Sequence, residues 1–192
     1  IYQGEEIGMT NVRYESIEDY NDIETLNMYK ERLSMGYDEV DIMNSIYAKG
    51  RDNARTPMQW SKEKNGGFTK ATPWLKVNEN YKYINVEQCL EDEYSIFYYY
   101  KKLINLRKNY DVIKYGNYNL ILEDHPEVYS YTRNYKNEEL LIICNFYENT
   151  IKLKLPSEYH DKKAYVLISN YKECSVLSEN IVLRPYEAIV YK

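Results

Sequence analysis

Between residues 50 and 60 the chain reads GRDNARTPMQW, and its chemically richest side chains crowd there. Two guanidinium groups, Arg51 and Arg55, stand four residues apart with Asp52 and Asn53 between them. The stretch follows neither the period of a strand nor that of a helix, so core packing does not account for it. Glu5 and Glu6 form a second tempting pair. Neighbours on an extended strand point to opposite faces, so these two carboxylates do not converge on one bond, and capping or orienting a turn is the expected role. Metal chemistry finds little support. Cys89, Cys144 and Cys174 lack paired spacing, and His125 and His160 stand apart from each other and from the thiols. The expectation is free, buried or half-buried thiols, with no metal and no organic cofactor.

The elements that must position these groups change character near residue 110. Residues 95–108, SIFYYYKKLINLRK, place Ile96, Tyr99, Tyr100, Leu103 and Leu106 on one stripe, with Ser95 ahead of them and basic residues toward the end. That pattern predicts an amphipathic helix. Two further helices are predicted over Ile23 to Met35 and Glu39 to Ala48. From Arg51 to Pro73 the chain reads as a long irregular loop, of a kind that is usually functional. Beyond residue 110, seven short segments rich in β-branched and aromatic residues follow at roughly ten-residue spacing: YNLILE, VYSYTRNY, LLIICNFY, IKLKL, AYVLIS, NIVLR and EAIVYK. Turn residues separate them, which is the pattern of an antiparallel β-sandwich. The predicted division is therefore 1–109, loop-rich and helical, and 110–192, all β.

With 44% hydrophobic and 29% charged residues, the 192-residue chain has ordinary globular composition. A net charge of −5 with interleaved signs offers no clustered basic surface, which argues against a nucleic-acid partner. The longest apolar run, Leu140 to Cys144, is far short of the ~20 residues that span a bilayer, so no membrane partner is expected. The 24 tyrosines are spread along the whole chain and read as composition bias.

Taken together, IYQGEEIGMTN, DIETLNMY (Asp22 to Tyr29), GRDNARTPMQW, NGGFT (Asn65 to Thr69), Pro73-Trp74 and SIFYYYKKLINLRK resemble, in order, the C-terminal third of glycoside hydrolase family 13 α-glucosidases. The resemblance is best to the oligo-1,6-glucosidases and covers essentially the whole chain. It implies an α+β architecture: the last strand, a long loop excursion and the last helix of a (β/α)8 barrel, followed by the C-terminal antiparallel sandwich. Ile1 to Gly4 would lie on the eighth strand, residues 5–94 would be the excursion after it, and residues 95–108 the eighth helix. The start, without a Met or a charged leader, then reads as an interrupted element.

The resemblance also implies a retaining hydrolysis, with a carboxylate nucleophile and a second carboxyl as acid/base roughly 5 Å apart. In the family those groups, a third stabilising carboxylate and any calcium ligands lie before the eighth strand, so no residue of this chain is expected to be catalytic. Its expected contribution is substrate binding. Arg51 matches the arginine at the floor of the non-reducing glucose pocket, where it pairs with an upstream Asp, and Glu24 matches a position on the wall of the next subsite. Glu24 also reads equally as a solvated first-turn acid. Arg55 is expected in a structural ion pair or carbonyl clamp, and Trp60 and Trp74 as loop anchors more than sugar platforms. The implied partners are a neutral α-glucoside oligosaccharide and the upstream barrel segment, the implied setting is cytoplasmic, and the isolated chain is expected to be inactive. A related branch hydrolyses trehalose 6-phosphate, for which Lys62, Lys64 and Lys70 are candidate phosphate contacts. A third reading makes residues 110–192 a carbohydrate-binding module.

Overall fold

The computed structural model describes residues 1–160 and 162–192, which divide into two compact units, Ile1–Lys102 and Leu103–Lys192. The first is irregular and is organised by caps. Helix α1 (Ile23–Ser34) starts at Asp22, whose side chain accepts from the Thr25 amide, and α2 (Glu39–Lys49) starts at Asp38, which accepts from Val40 and Asp41. Both follow the rule that an acidic N-cap satisfies amides that the helix leaves orphaned. A buried cluster of Val12, Tyr14, Tyr20, Ile42, Ile46 and Leu75 gathers the incoming loop, α2 and the returning loop. Two 3-10 turns, Arg51–Ala54 and Lys64–Gly67, interrupt what reads from the sequence as a plain loop, and a short helix, α3 (Val86–Glu91), follows it.

Ile1 to Gly4 form no strand. Glu5–Ile7 is a 3-10 turn entered through Gly4 at φ +95°, and among the described residues no strand pairs with those before it. A barrel strand exists only through hydrogen bonds to its neighbours, so the expected extended form is not realised here. Helix α4 (Ile96–Asn109) runs across the division between the units and buries none of its residues, leaving its apolar stripe half-buried to exposed.

The second unit adds α5 (Asp111–Tyr115), a one-turn helix that the periodicity does not announce, and then the seven expected strands. These are β1 (Asn117–Ile121), β2 (Val128–Tyr135), β3 (Glu138–Asn145), β4 (Ile151–Lys154), β5 (Val166–Ser169), β6 (Asn180–Leu183) and β7 (Ala188–Tyr191). A five-stranded antiparallel sheet, β1-β2-β3-β7-β5, faces the β4-β6 pair, and the two enclose Leu141, Ile143, Ile151, Leu153, Leu183 and Ile189. β4 and β6 alternate strictly between buried and exposed, as strands with one wet face do. β3 does not, because its other face, Leu140 and Ile142, is covered by Val112 of α5. Burial on both faces explains the unbroken LLII run.

Candidate substrate-binding site

Arg51 opens a 3-10 turn, Arg51–Ala54, directly after α2. Gly50 makes the junction possible: its amide donates to the Ile46 carbonyl at 2.7 Å, and an added Cβ would sit 2.7 Å from that same oxygen. Glu24 lies in the first turn of α1. The two side chains meet, Arg51 Nη1 to Glu24 Oε2 at 3.1 Å, while remaining 63% and 68% exposed. They line a cavity of about 230 Å³ whose floor includes Thr25, Met28, Ser45 and Ile46. An ion pair this wet contributes about 0 to 1 kcal/mol, so it can open for a ligand at little cost. A guanidinium fork beside a carboxylate offers donors and acceptors at once, as the hydroxyls of a neutral sugar require. The expected partner for Arg51 was a carboxylate outside this chain; here Glu24 takes the contact.

Beneath that pair the neighbouring side chains turn inward. Asp52, 1% exposed, accepts the amides of Asn21 and Asp22 on Oδ2 at 2.7 and 2.9 Å. Asp22, also buried, accepts from the Thr25 amide and hydroxyl, both at 2.9 Å, and from Arg55 Nη1 at 3.0 Å. The same Arg55 nitrogen lies 3.7 Å from Asp52 Oδ1. Burial pushes the Asp22 carboxyl up, but the Thr25 and Arg55 hydrogen bonds outweigh it and hold the group below the usual carboxylate range. Asn53 accepts the Val12 amide and donates to the Tyr47 carbonyl, and Gln59, wholly buried, donates to Asn80 and to the Ile84 carbonyl. GRDNARTPMQW is thus a set of clasps that leaves Arg51 at the surface, paired with Glu24. The clasping role of Asp22 and Asp52 went unread in the sequence. An Asp three residues before a Thr, at a helix start, was the available signal for Asp22; Asp52 had none.

Other candidates separate. Glu5 Oε2 accepts the Tyr2 amide at 3.0 Å and Glu6 Oε2 the Gly4 amide at 2.8 Å, so both carboxylates cap the opening turn. Trp60 and Trp74 are 51% and 57% exposed, and their rings are not packed away as anchors by the residues present. Of Lys62, Lys64 and Lys70, all exposed, only Lys64 lines the cleft of about 860 Å³ formed with Arg13, Lys76, Lys82 and the Asn78–Asn80 turn. Lys76 and Lys82 there are already paired with Asp19 and Glu79. The three thiols are free and half-buried. His125 Nδ1 accepts the Glu127 and Val128 amides, His160 Nε2 lies 2.7 Å from the Leu155 carbonyl, and among the described residues no cluster of metal ligands forms. On the second unit, Tyr118, Tyr129, Tyr131 and Phe146 gather with ring centroids 5.1 to 6.4 Å apart, yet their planes are tilted by 36 to 60°. They make no flat platform for a sugar.

The model of the α-amylase catalytic domain matches residues 1–116. The chain belongs to the α-amylase family. Residues 128–190 of this α-amylase-family chain match the C-terminal domain of the α-amylase SusG. It is 60% identical to the oligo-1,6-glucosidase of Parageobacillus thermoglucosidasius, covering 100% of the chain and 34% of that protein. It is 46% identical to the trehalose-6-phosphate hydrolase of Bacillus subtilis over 100% of the chain and 34% of that relative. The crystal structure of Bacillus licheniformis trehalose-6-phosphate hydrolase superposes with a TM-score of 0.95 at 48% identity, covering 100% of the chain and 35% of that structure. The α-amylase-family chain therefore spans about a third of the length of these relatives. Its fold is the end of the catalytic domain followed by the antiparallel C-terminal domain. Among the described residues, no helix is long and apolar enough to cross a membrane.

Proposed function

We propose that this chain is the substrate-holding end of a cytoplasmic retaining α-glucosidase that hydrolyses α-1,6 bonds in isomaltose and short isomalto-oligosaccharides. Arg51 and Glu24 bind the sugar, with Arg51 reaching the non-reducing glucose and Glu24 the next unit. The nucleophile and the acid/base belong to the upstream barrel segment, and the 192 residues alone turn over no glucoside. The observation that carries this reading is the 60% identity with an oligo-1,6-glucosidase along the entire chain, with the exposed Arg51–Glu24 pair at its cavity.

Trehalose-6-phosphate hydrolysis is the second reading, favoured by the TM-score of 0.95 with such an enzyme. A phosphate calls for a basic cluster; of Lys62, Lys64 and Lys70 only Lys64 lines the cleft of about 860 Å³, and the pairing of its neighbours Lys76 and Lys82 with Asp19 and Glu79 speaks against a phosphate site there. Assaying the full-length protein on isomaltose and on trehalose 6-phosphate separates the two. Preferential turnover of isomaltose, reduced by Arg51→Ala, is expected; preference for the phosphorylated sugar overturns the first reading.

A further inference from the structure

Arg51 and Glu24 come from segments far apart in sequence and are exposed, so their own contact cannot hold them in place. What fixes their separation lies underneath. Asp52 is the residue after Arg51, and its Oδ2 grips two consecutive amides, Asn21 and Asp22. Asp22 stands two residues before Glu24 and caps the helix that carries it. Arg55 reaches back to Asp22 and lies beside the other oxygen of Asp52. The two backbones are thereby tied within two residues of each exposed group.

We propose that Asp52 and Asp22 are positioning residues: with Arg55 they form a buried lock that sets the gap between Arg51 and Glu24, and so how tightly a glucosyl unit is held. The inference rests on the reading of Arg51 and Glu24 as sugar-binding groups. Carboxylates suit the lock for a definite reason. An ionised carboxylate only accepts, so Asp52 can take two amide hydrogens on one oxygen while turning the other to a guanidinium. Asparagine has the same shape, but to keep both amide bonds on Oδ2 it must turn its NH2 to the buried side of Oδ1, which accepts no hydrogen bond and faces the Arg55 guanidinium at 3.7 Å. Asp52→Asn therefore loosens the lock without changing its volume, and small misplacements of binding groups reduce turnover steeply.

The test is a double-mutant cycle in the full-length protein, with isomaltose and a chromogenic α-glucoside as probes. Asp52→Asn is expected to lower kcat/KM about tenfold, mainly through KM, and to lower it less than about twofold once Arg51 is already Ala. Equal losses in both backgrounds, or a lowered melting temperature with unchanged KM, overturn the positioning role while leaving the reading of Arg51 intact. If Arg51→Ala alone leaves kcat/KM unchanged, the reading falls and the proposal with it. Should Asp52→Asn not fold, Asp22→Asn, which keeps an oxygen for the Thr25 cap, is read in the same cycle against the same outcomes.

Discussion

Replacing Arg55 by methionine keeps most of the stem and removes the charge that faces two buried carboxylates. Asp22 keeps its two bonds from Thr25, and Asp52 keeps the amides of Asn21 and Asp22, so neither loses every partner. What disappears is one charge-assisted hydrogen bond of 3.0 Å and a looser approach of 3.7 Å. Hydrogen bonds to charged groups contribute ~1.5–3 kcal/mol, and because the Arg55 side chain is 43% exposed, solvent screening brings the expected loss to about 1–2 kcal/mol. The deficit depends on pH. The folded Asp22 carboxyl lies below its ordinary value, so it stabilises the fold above the unfolded pKa of ~3.9, and that stabilisation is lost as pH falls through the folded pKa. Arg55→Met removes part of that depression, so its deficit is complete near neutrality and shrinks only as pH falls through the lowered folded pKa of Asp22. Urea titrations followed by tryptophan fluorescence measure this in the right place, because both tryptophans, Trp60 and Trp74, lie within residues 1–102. With a slope of ~2 kcal/mol per molar, the midpoint should drop by about 0.5–1 M at neutral pH. A deficit that stayed the same at every pH down to acid unfolding would refute the assignment of the effect to the Asp22 charge.

Two further outcomes follow from the second unit and from the thiols. Glu187 is wholly buried and accepts the Arg184 amide at 2.7 Å and Arg184 Nε at 3.0 Å, so Glu187→Gln should cost about 2 kcal/mol. Near-UV circular dichroism during urea unfolding reads this loss, and an unchanged midpoint contradicts it. Burial pushes the Cys89 and Cys144 thiols up, so both should react slowly with a thiol-specific reagent near neutral pH. Their rates should rise with alkalinity or on adding urea; rapid labelling of the folded chain at neutral pH would show that they are not shielded.

Much of the fold was legible because its signals are local. Asp22 and Asp38 precede their helices as acidic caps, and both helices fall within a residue of the predicted bounds. The segments rich in β-branched and aromatic residues became the strands, whereas α5, α3 and the 3-10 turns passed unannounced, because one or two turns are too short to show a helical period. The strand expected over Ile1 to Gly4 is the instructive difference: among the described residues no strand pairs with it, and no local pattern can supply such partners.

The candidate site divides along the same line. Residue types alone singled out GRDNARTPMQW as something other than core, and the family resemblance singled out Arg51 and Glu24. That these two meet at 3.1 Å, that Asp52 faces inward while Arg51 faces out, and that Arg55 holds Asp22 were decided by tertiary structure. Helices and strands repeat hydrogen bonds between residues at fixed spacings, so sequence periodicity records them. The clasps beneath Arg51 join residues about thirty apart through single side chains, and only the folded chain brings their donors and acceptors within reach.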